Sequence, residues 1–172
     1  MKTKSDSEER PRISLSFLRT PTRICFSLTT DQINADNCFV CGKKNEAGLK
    51  VNFRIENKVC LGEYYGLQSH VGFGNIIHGG IIYALLDDAM ANWFYLQGAV
   101  GYTAKASIRY RSQILVGDSG IITAQLVSKR SKMLSMKGSL SLLESKTIIA
   151  ECEGRFILSP SDSIALTSEK LS

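Results

Sequence analysis

The sequence predicts an α+β domain in which a curved antiparallel sheet of about six strands wraps around one long central helix. Six segments alternate apolar and polar residues with a period of two, which is typical of half-buried strands. One further segment, between the second and third of these, is apolar on nearly every side of a helix. Since the connections between strands are short, antiparallel pairing is favoured over parallel pairing.

The alternation is clearest in the first strand, where apolar Leu49, Val51, Phe53 and Ile55 are separated by polar residues. Turn-rich sequence at 117–119 and 128–132 separates later strands. The predicted strands are 49–56, 59–65, 104–111, 120–128, 133–143 and 147–158.

The central helix is predicted from Gly79 to Gln97, and Gly98 is placed to end it. A helix that is apolar on all sides is surrounded by protein or by lipid. Because Asp87 and Asp88 lie in its middle, protein is the better environment, and the sheet is expected to supply it.

The 172-residue chain has room for one core domain with polar ends. We predict a flexible leader at 1–34, the folded domain at 35–159 and a polar tail at 160–172. The arginines and serines of the leader resemble a transit peptide, but Asp6, Glu8 and Glu9 argue against that interpretation.

Composition excludes several classes of protein. Hydrophobic residues make up 44% and charged residues 22%, which are globular values, and no apolar run approaches the ~20 residues that span a bilayer. Five cysteines, an odd number, favour reduced thiols and therefore a cytoplasmic location. The net charge of +5 suggests an anionic partner, yet no nucleic-acid-binding motif accompanies it.

Two consecutive aspartates in a buried helix are unusual. Asp87 and Asp88 lie about 100° apart around the helix axis, so they face different surroundings. A buried ionised carboxylate is costly unless it is paired or used, which makes Asp87 the stronger candidate for a functional role. The alternative is a residual solvent-exposed strip beside Asn92 and Gln97.

The helix begins at His78-Gly79-Gly80, and two glycines there are poor for helix propensity. Glycines leave the first N–H groups open to another molecule, and the positive end of the helix dipole points the same way. Such a position suits a carbonyl oxygen that becomes an oxyanion, with Gly79 or Gly80 as donor and His78 orienting the turn. A tight turn with a hydrogen-bonded histidine is the structural alternative.

Asp87 and Gly79 are about 12 Å apart along one helix axis, at 1.5 Å per residue. Both groups must approach one reacting carbonyl within about 3–3.5 Å. Therefore either they serve different sites, or two antiparallel helices from two protomers share each site across a two-fold axis.

The stretch from His78 to Asp87, HGGIIYALLD, resembles the motif of PaaI-type hotdog-fold acyl-CoA thioesterases. The upstream segment Cys38-Phe39-Val40-Cys41-Gly42, with Asn45, Gly48 and Leu49, is also similar to that family, as are segments around 108–118 and 150–151. The resemblance covers residues 36–158 and implies a hotdog fold, homodimers that often assemble further into dimers of dimers, and hydrolysis of an acyl-CoA or other acyl thioester.

In that family an N–H near the Gly-Gly pair polarises the thioester carbonyl. The aspartate matching Asp87, from the other protomer, activates water or attacks directly. Asp88 stands where relatives often have glutamate and is a second candidate for the catalytic role. Relatives place an asparagine six residues before the histidine, where this chain has Gly72, so Asn75 is only a weak substitute.

Four cations are candidate ligands for the phosphates of an acyl-CoA. Arg109 and Arg111 share one face of a strand, whereas Lys129 and Arg130 fall in a turn. An ordinary solvated sheet face is the alternative.

We expect no cofactor and no metal. Cys38 and Cys41 have the spacing of a zinc pair, but a zinc site needs Cys60 or His70 brought in from elsewhere. Two rival functions remain open: a hotdog dehydratase or hydratase, for which His70 is the only spare histidine, and a non-catalytic module that binds acyl thioesters.

Overall fold

A computed structural model describes residues 34–159 of the chain. The predicted tail and all but the last residue of the predicted leader lie outside this range. In chain order the elements are β1 (Arg54–Glu56), β2 (Val59–Tyr65), β3 (Val71–Phe73), β4 (Ile76–Ile77), α1 (Gly79–Tyr95), β5 (Gly101–Tyr110), β6 (Ser119–Arg130), β7 (Met133–Leu142) and β8 (Ile148–Leu158).

Six of the strands form one antiparallel sheet in the order β1-β2-β6-β7-β8-β5. The two short strands, β3 and β4, pair with each other and lead into the helix, and β4 also forms an isolated antiparallel bridge between Ile76 and Leu115. Helix α1 contacts β2, β5, β6, β7 and β8, so one sheet surrounds one helix as the sequence predicts. The predicted α+β class and six-stranded antiparallel sheet are confirmed.

The core lies between the inner face of the sheet and the helix. Phe94 of α1 meets Phe156 of β8 edge to face, with ring centroids 5.5 Å apart. Gly154 allows close approach here, because a Cβ at this position would lie 3.1 Å from the methyl carbon of Met90. Fully buried side chains come from both layers and include Leu85, Leu86, Ile122, Leu134, Met136, Leu140 and Ile149.

Some element ends differ from the sequence prediction by up to three residues: α1 ends at Tyr95 instead of Gln97, and β5 begins at Gly101 instead of 104. Two differences are larger. Lys50 adopts a left-handed backbone (φ 58°), so the first predicted strand pairs only over β1, although Val51 and Phe53 are buried as the alternation requires. Strands β3 and β4, with three and two residues, are too short to show a period and were not predicted.

Within residues 34–159, no helix combines the length and the apolar character that crossing a membrane requires.

Candidate active site

The beginning of α1 is capped by its own histidine. The Gly80 N–H donates to His78 Nδ1 at 2.9 Å, and the His78 N–H donates to the carbonyl of His70 at 2.9 Å. The Gly79 N–H, in contrast, makes no hydrogen bond within residues 34–159. Of the two candidate oxyanion donors, the Gly79 N–H is therefore the one available to a ligand.

Tyr110, at the end of β5, ties this helix start to the sheet. Its hydroxyl donates to the Gly79 carbonyl at 2.8 Å. A Cβ on residue 79 would lie 3.3 Å from the same hydroxyl oxygen, so the glycine also lets the tyrosine approach closely.

Asp87 lies two turns further along α1 and is half-buried. Thr103 Oγ1, near the start of β5, donates to Asp87 Oδ1 at 2.9 Å. Burial raises the pKa of the Asp87 carboxyl, and the hydrogen bond from Thr103 opposes that shift by stabilising the charged form. The carboxylate is thus held in one orientation at the edge of the sheet.

Asp88 is turned to a different part of the molecule. The Cys38 thiol donates to Asp88 Oδ1 at 3.3 Å, and Asn92 Nδ2 donates to Asp88 Oδ2 at 3.0 Å. Burial raises the pKa of this carboxyl as well. Both aspartates are partly buried and Asn92 is 6% exposed, so the alternative of a solvent-exposed strip is not what the structure shows.

The candidate site residues therefore form two separate groups. Asp87 meets β5 at Thr103, whereas Gly79 meets it seven residues later at Tyr110. Both groups lie along the same strand, and that strand forms the edge of the six-stranded sheet.

The four candidate cations do not converge. Arg109 and Arg111 line an open groove of about 500 Å³ on the outer face of the sheet, but Arg111 is paired with Glu151 at 2.7 Å. Lys129 lies opposite Leu134, near the other end of the strands, and Arg130 follows it at the β6–β7 turn. Two cations lie at each end of the sheet.

Two other residues named from the sequence have structural partners. Asn75 is exposed at the β3–β4 turn, and its carbonyl accepts from the Val116 N–H at 3.0 Å. His70 is 7% exposed, stacks on Tyr64, and its Nδ1 lies 2.8 Å from the tyrosine hydroxyl. Burial lowers the pKa of His70.

Sequence reasoning missed Thr103 and Tyr110 as parts of the candidate site. Thr103 precedes the strand predicted from 104, at a register shift that interrupts the alternation between β5 and β8. Tyr110 lies inside a predicted strand, where an alternating pattern does not distinguish a tyrosine that contacts the helix from one on an exposed face.

One family model matches the part of the chain that holds these residues. Residues 74–148 match the family model described as the thioesterase superfamily. Over these residues the chain is similar to the thioesterase superfamily. The match begins just before His78 and includes α1 with both aspartates, all of β5 to β7 and the first residue of β8. No match is found among curated proteins.

Solved structures with the same fold come from bacteria and from an animal, and they confirm the hotdog fold. A thioesterase protein from Streptococcus pneumoniae TIGR4, crystallised with coenzyme A, is 16% identical with a TM-score of 0.59 over 63% of this chain and 84% of its own. The Escherichia coli PaaI protein of the phenylacetic acid degradation operon is 16% identical with a TM-score of 0.59, over 63% of this chain and 79% of its own. Zebrafish thioesterase superfamily member 2 is 19% identical with a TM-score of 0.62, over 77% and 99%.

Proposed function

We propose that this protein hydrolyses acyl-CoA thioesters to a free acid and a thiol, in sites shared between the two protomers of a homodimer. The single observation that carries the proposal is the division of the site along β5. An unengaged N–H at Gly79 and an oriented carboxylate at Asp87 lie at separate positions along one free sheet edge.

The Gly79 N–H supplies electrophilic assistance. A thioester carbonyl that accepts this hydrogen bond at the positive end of α1 is polarised, and the donor stabilises the oxyanion of the tetrahedral intermediate. His78 acts as a positioning residue, because its Nδ1 holds the Gly80 N–H and fixes the turn that presents Gly79.

Asp87 supplies the base. It takes a proton from water while the water oxygen bonds to the carbonyl carbon. The intermediate then collapses by breaking the carbon–sulfur bond, and the proton held by Asp87 passes to the leaving thiolate, which departs as the thiol. In the rival covalent route Asp87 attacks the carbonyl itself. A single turnover in ¹⁸O-labelled water tests the base mechanism, which places the label in the acid product. Unlabelled acid from the first turnover, with the label in Asp87, refutes it.

Thr103 is proposed to position this carboxylate. In the Streptococcus pneumoniae protein, separate structures carry alanine at an aspartate and at a threonine. These two residues have the 16-position separation of Asp87 and Thr103. This coincidence supports treating the pair as one functional unit.

The free edge of β5 supports the proposed dimer. This ten-residue strand pairs only with β8 within residues 34–159, and Tyr102 on it is 63% exposed. Unpaired edge strands are templates for pairing with another chain. If two copies of β5 pair antiparallel about a two-fold axis, the Thr103 end of one copy lies beside the Tyr110 end of the other. Asp87 of one protomer then faces Gly79 of its partner.

An anionic CoA tail is proposed to bind the cations at the sheet ends. Arg109 makes no ion pair within residues 34–159, and Arg130 is exposed, so both are open to phosphate. Glu151 offsets the charge of Arg111, so Arg109 is the stronger phosphate ligand of the two arginines at this end of the sheet.

The rival dehydratase function is less well supported. His70, the only spare histidine, is buried against Tyr64 and hydrogen-bonded to its hydroxyl. It is therefore engaged in the core instead of being available to an acyl chain.

The proposal is tested by thiol release from a panel of acyl-CoAs. We expect release by the wild type, near-complete loss in Asp87→Asn, and a much smaller loss in Asp88→Asn, whose carboxylate faces Cys38. Hydration of an enoyl-CoA without thiol release supports the dehydratase, and binding without either reaction supports a non-catalytic module. Retained turnover in Asp87→Asn with loss in Asp88→Asn refutes the site assignment.

Sedimentation tests the assembly. We expect a dimer at the concentrations where the protein is active, and the family resemblance predicts dimers of dimers as well. A fully active monomer contradicts the shared site. The cytoplasmic location stays a prediction.

A further inference from the structure

A second cluster of reactive side chains lies beside the candidate active site but does not belong to it. The loop 38–42 brings the thiols of Cys38 and Cys41 to the carboxylate of Asp88, 50 positions after Cys38. One ligand atom from each of the three residues lies within 4.8 Å of the other two. Asn92 completes the group, with Nδ2 3.7 Å from Cys41 Sγ and 3.0 Å from Asp88 Oδ2.

The charge balance of this cluster is unusual. Asp88 forms no ion pair within residues 34–159, where every ion pair involves other residues. All three residues are partly buried, and three acidic side chains brought this close together are stabilised by a cation.

The backbone of the loop is shaped around the first sulfur. The Val40 N–H donates to Cys38 Sγ at 3.3 Å, which fixes the position of this sulfur. The Gly42 N–H donates to the Cys38 carbonyl at 3.0 Å and closes the turn. A Cβ at residue 42 would lie 2.4 Å from both the backbone nitrogen and the carbonyl oxygen of Cys38, so only glycine permits this turn.

We propose that Cys38, Cys41 and Asp88 bind a thiophilic divalent cation of the zinc class. In a tetrahedral zinc site with bonds of about 2.0–2.3 Å, neighbouring ligand atoms are about 3.5–3.8 Å apart, so the three groups need to move only slightly. Thiolate ligands select zinc over magnesium or calcium.

The fourth position falls to water or to Asn92. The nitrogen and oxygen of an asparagine amide exchange places by a half-turn of the side chain, which would present Oδ1 of Asn92 to the cation. The cation would fasten the loop 38–42 to the middle of α1, one residue beyond Asp87.

Cobalt binding tests the site without reference to hydrolysis. The full-length protein, reduced and freed of metal by a chelator, is titrated with Co²⁺, whose bonds to thiolate absorb in the near ultraviolet. We expect one equivalent to bind with this absorption, and Zn²⁺ to displace it. Cys41→Ser and Asp88→Asn are each expected to weaken binding by about tenfold or more, since each removes a ligand.

Two control variants remove thiols outside the cluster. Cys152→Ser changes a buried cysteine of β8, and Cys25→Ser changes the cysteine that lies outside the described residues; both are expected to bind cobalt like the wild type. Circular dichroism in chelator confirms that each variant is folded. The proposal is overturned if the reduced wild type shows no thiolate–cobalt absorption, or if the control variants lose binding while Cys41→Ser keeps it. A Cys38–Cys41 disulfide that forms in air, together with no metal uptake after reduction, also overturns it.

Discussion

A mixture of two inactive variants tests whether each site takes its groups from two protomers. Asp87→Asn removes the base, with an expected loss of about 10²–10⁴ in rate. Gly79→Pro removes the oxyanion donor, with an expected loss of about 10²–10³. The proline occupies the first position of the helix, which favours proline, and His78 before it already has the extended backbone (ψ 131°) that precedes proline. The proline Cβ would lie 3.3 Å from the Tyr110 hydroxyl, so the tyrosine must shift by a few tenths of an ångström.

The geometry of the shared site gives the expected recovery. In a mixed dimer, one site takes residue 87 from the Asp87→Asn chain and residue 79 from the Gly79→Pro chain, so it carries both substitutions. The second site combines the unchanged Asp87 and Gly79. Random reassortment makes half of the dimers mixed, so about one quarter of all sites regain wild-type composition. Since each parent is expected below about 1% of wild-type activity, the mixture should exceed both parents by about 25-fold or more.

The assay is thiol release after the two chains are refolded together at equal concentration. Each variant refolded alone is the control, and sedimentation verifies that dimers form in every sample. If the mixture is no more active than the mean of its parents although mixed dimers are present, each site lies within one protomer and the antiparallel pairing of β5 is wrong.

Three further substitutions test individual contacts. Thr103→Val removes the 2.9 Å hydrogen bond to Asp87. Since a bond to a charged group contributes about 1.5–3 kcal/mol, kcat/KM should fall about tenfold to 100-fold and its acid limb should move to higher pH, whereas Thr147→Val, a control in the exposed β7–β8 loop, should change neither. The lowered pKa of His70 predicts that the free energy of unfolding decreases as the pH falls below about 6.5, because the unfolded chain binds the proton more tightly; urea titrations at several pH values should show a weaker dependence in His70→Asn. His78→Ala should lower the free energy of unfolding by about 1 kcal/mol because it removes the helix cap, whereas His78→Asn retains a capping side chain and should restore most of that loss. Equal stability of the wild type and both variants contradicts the capping role.

The parts of the fold that the sequence predicts are those with a local period. The alternation of β6, β7 and β8 and the apolar run of α1 each extend over ten or more residues, so they identify the sheet and the helix without knowledge of distant contacts. The departure at Lys50 arises from a single left-handed residue, which leaves the apolar alternation intact while it interrupts strand pairing. The alternation predicts which side chains are buried, and here it does so correctly even where the chain does not pair with a neighbouring strand.

The contacts within the candidate site have no such local signal. The spacing of Cys38 and Cys41 is visible in the sequence as that of a zinc pair. The third residue of the cluster, Asp88, is 50 positions after Cys38, on a helix that is apolar on nearly every side, so the sequence does not indicate which way its side chain points. Thr103 falls where the register between β5 and β8 shifts, so its side chain is not assigned to a face by alternation. Only the folded sheet brings these residues to their partners.

The adjacency of Asp87 and Asp88 explains why the two proposed sites meet at one turn of α1. Consecutive residues of a helix point about 100° apart, so the pair cannot share a face and each carboxylate must be satisfied by different elements. The edge strand β5 satisfies Asp87 through Thr103, and the loop 38–42 satisfies Asp88 through Cys38. Because both contacts act on one rigid turn, fastening Asp88 to the loop restricts the rotation of α1 that would draw Asp87 away from the sheet edge.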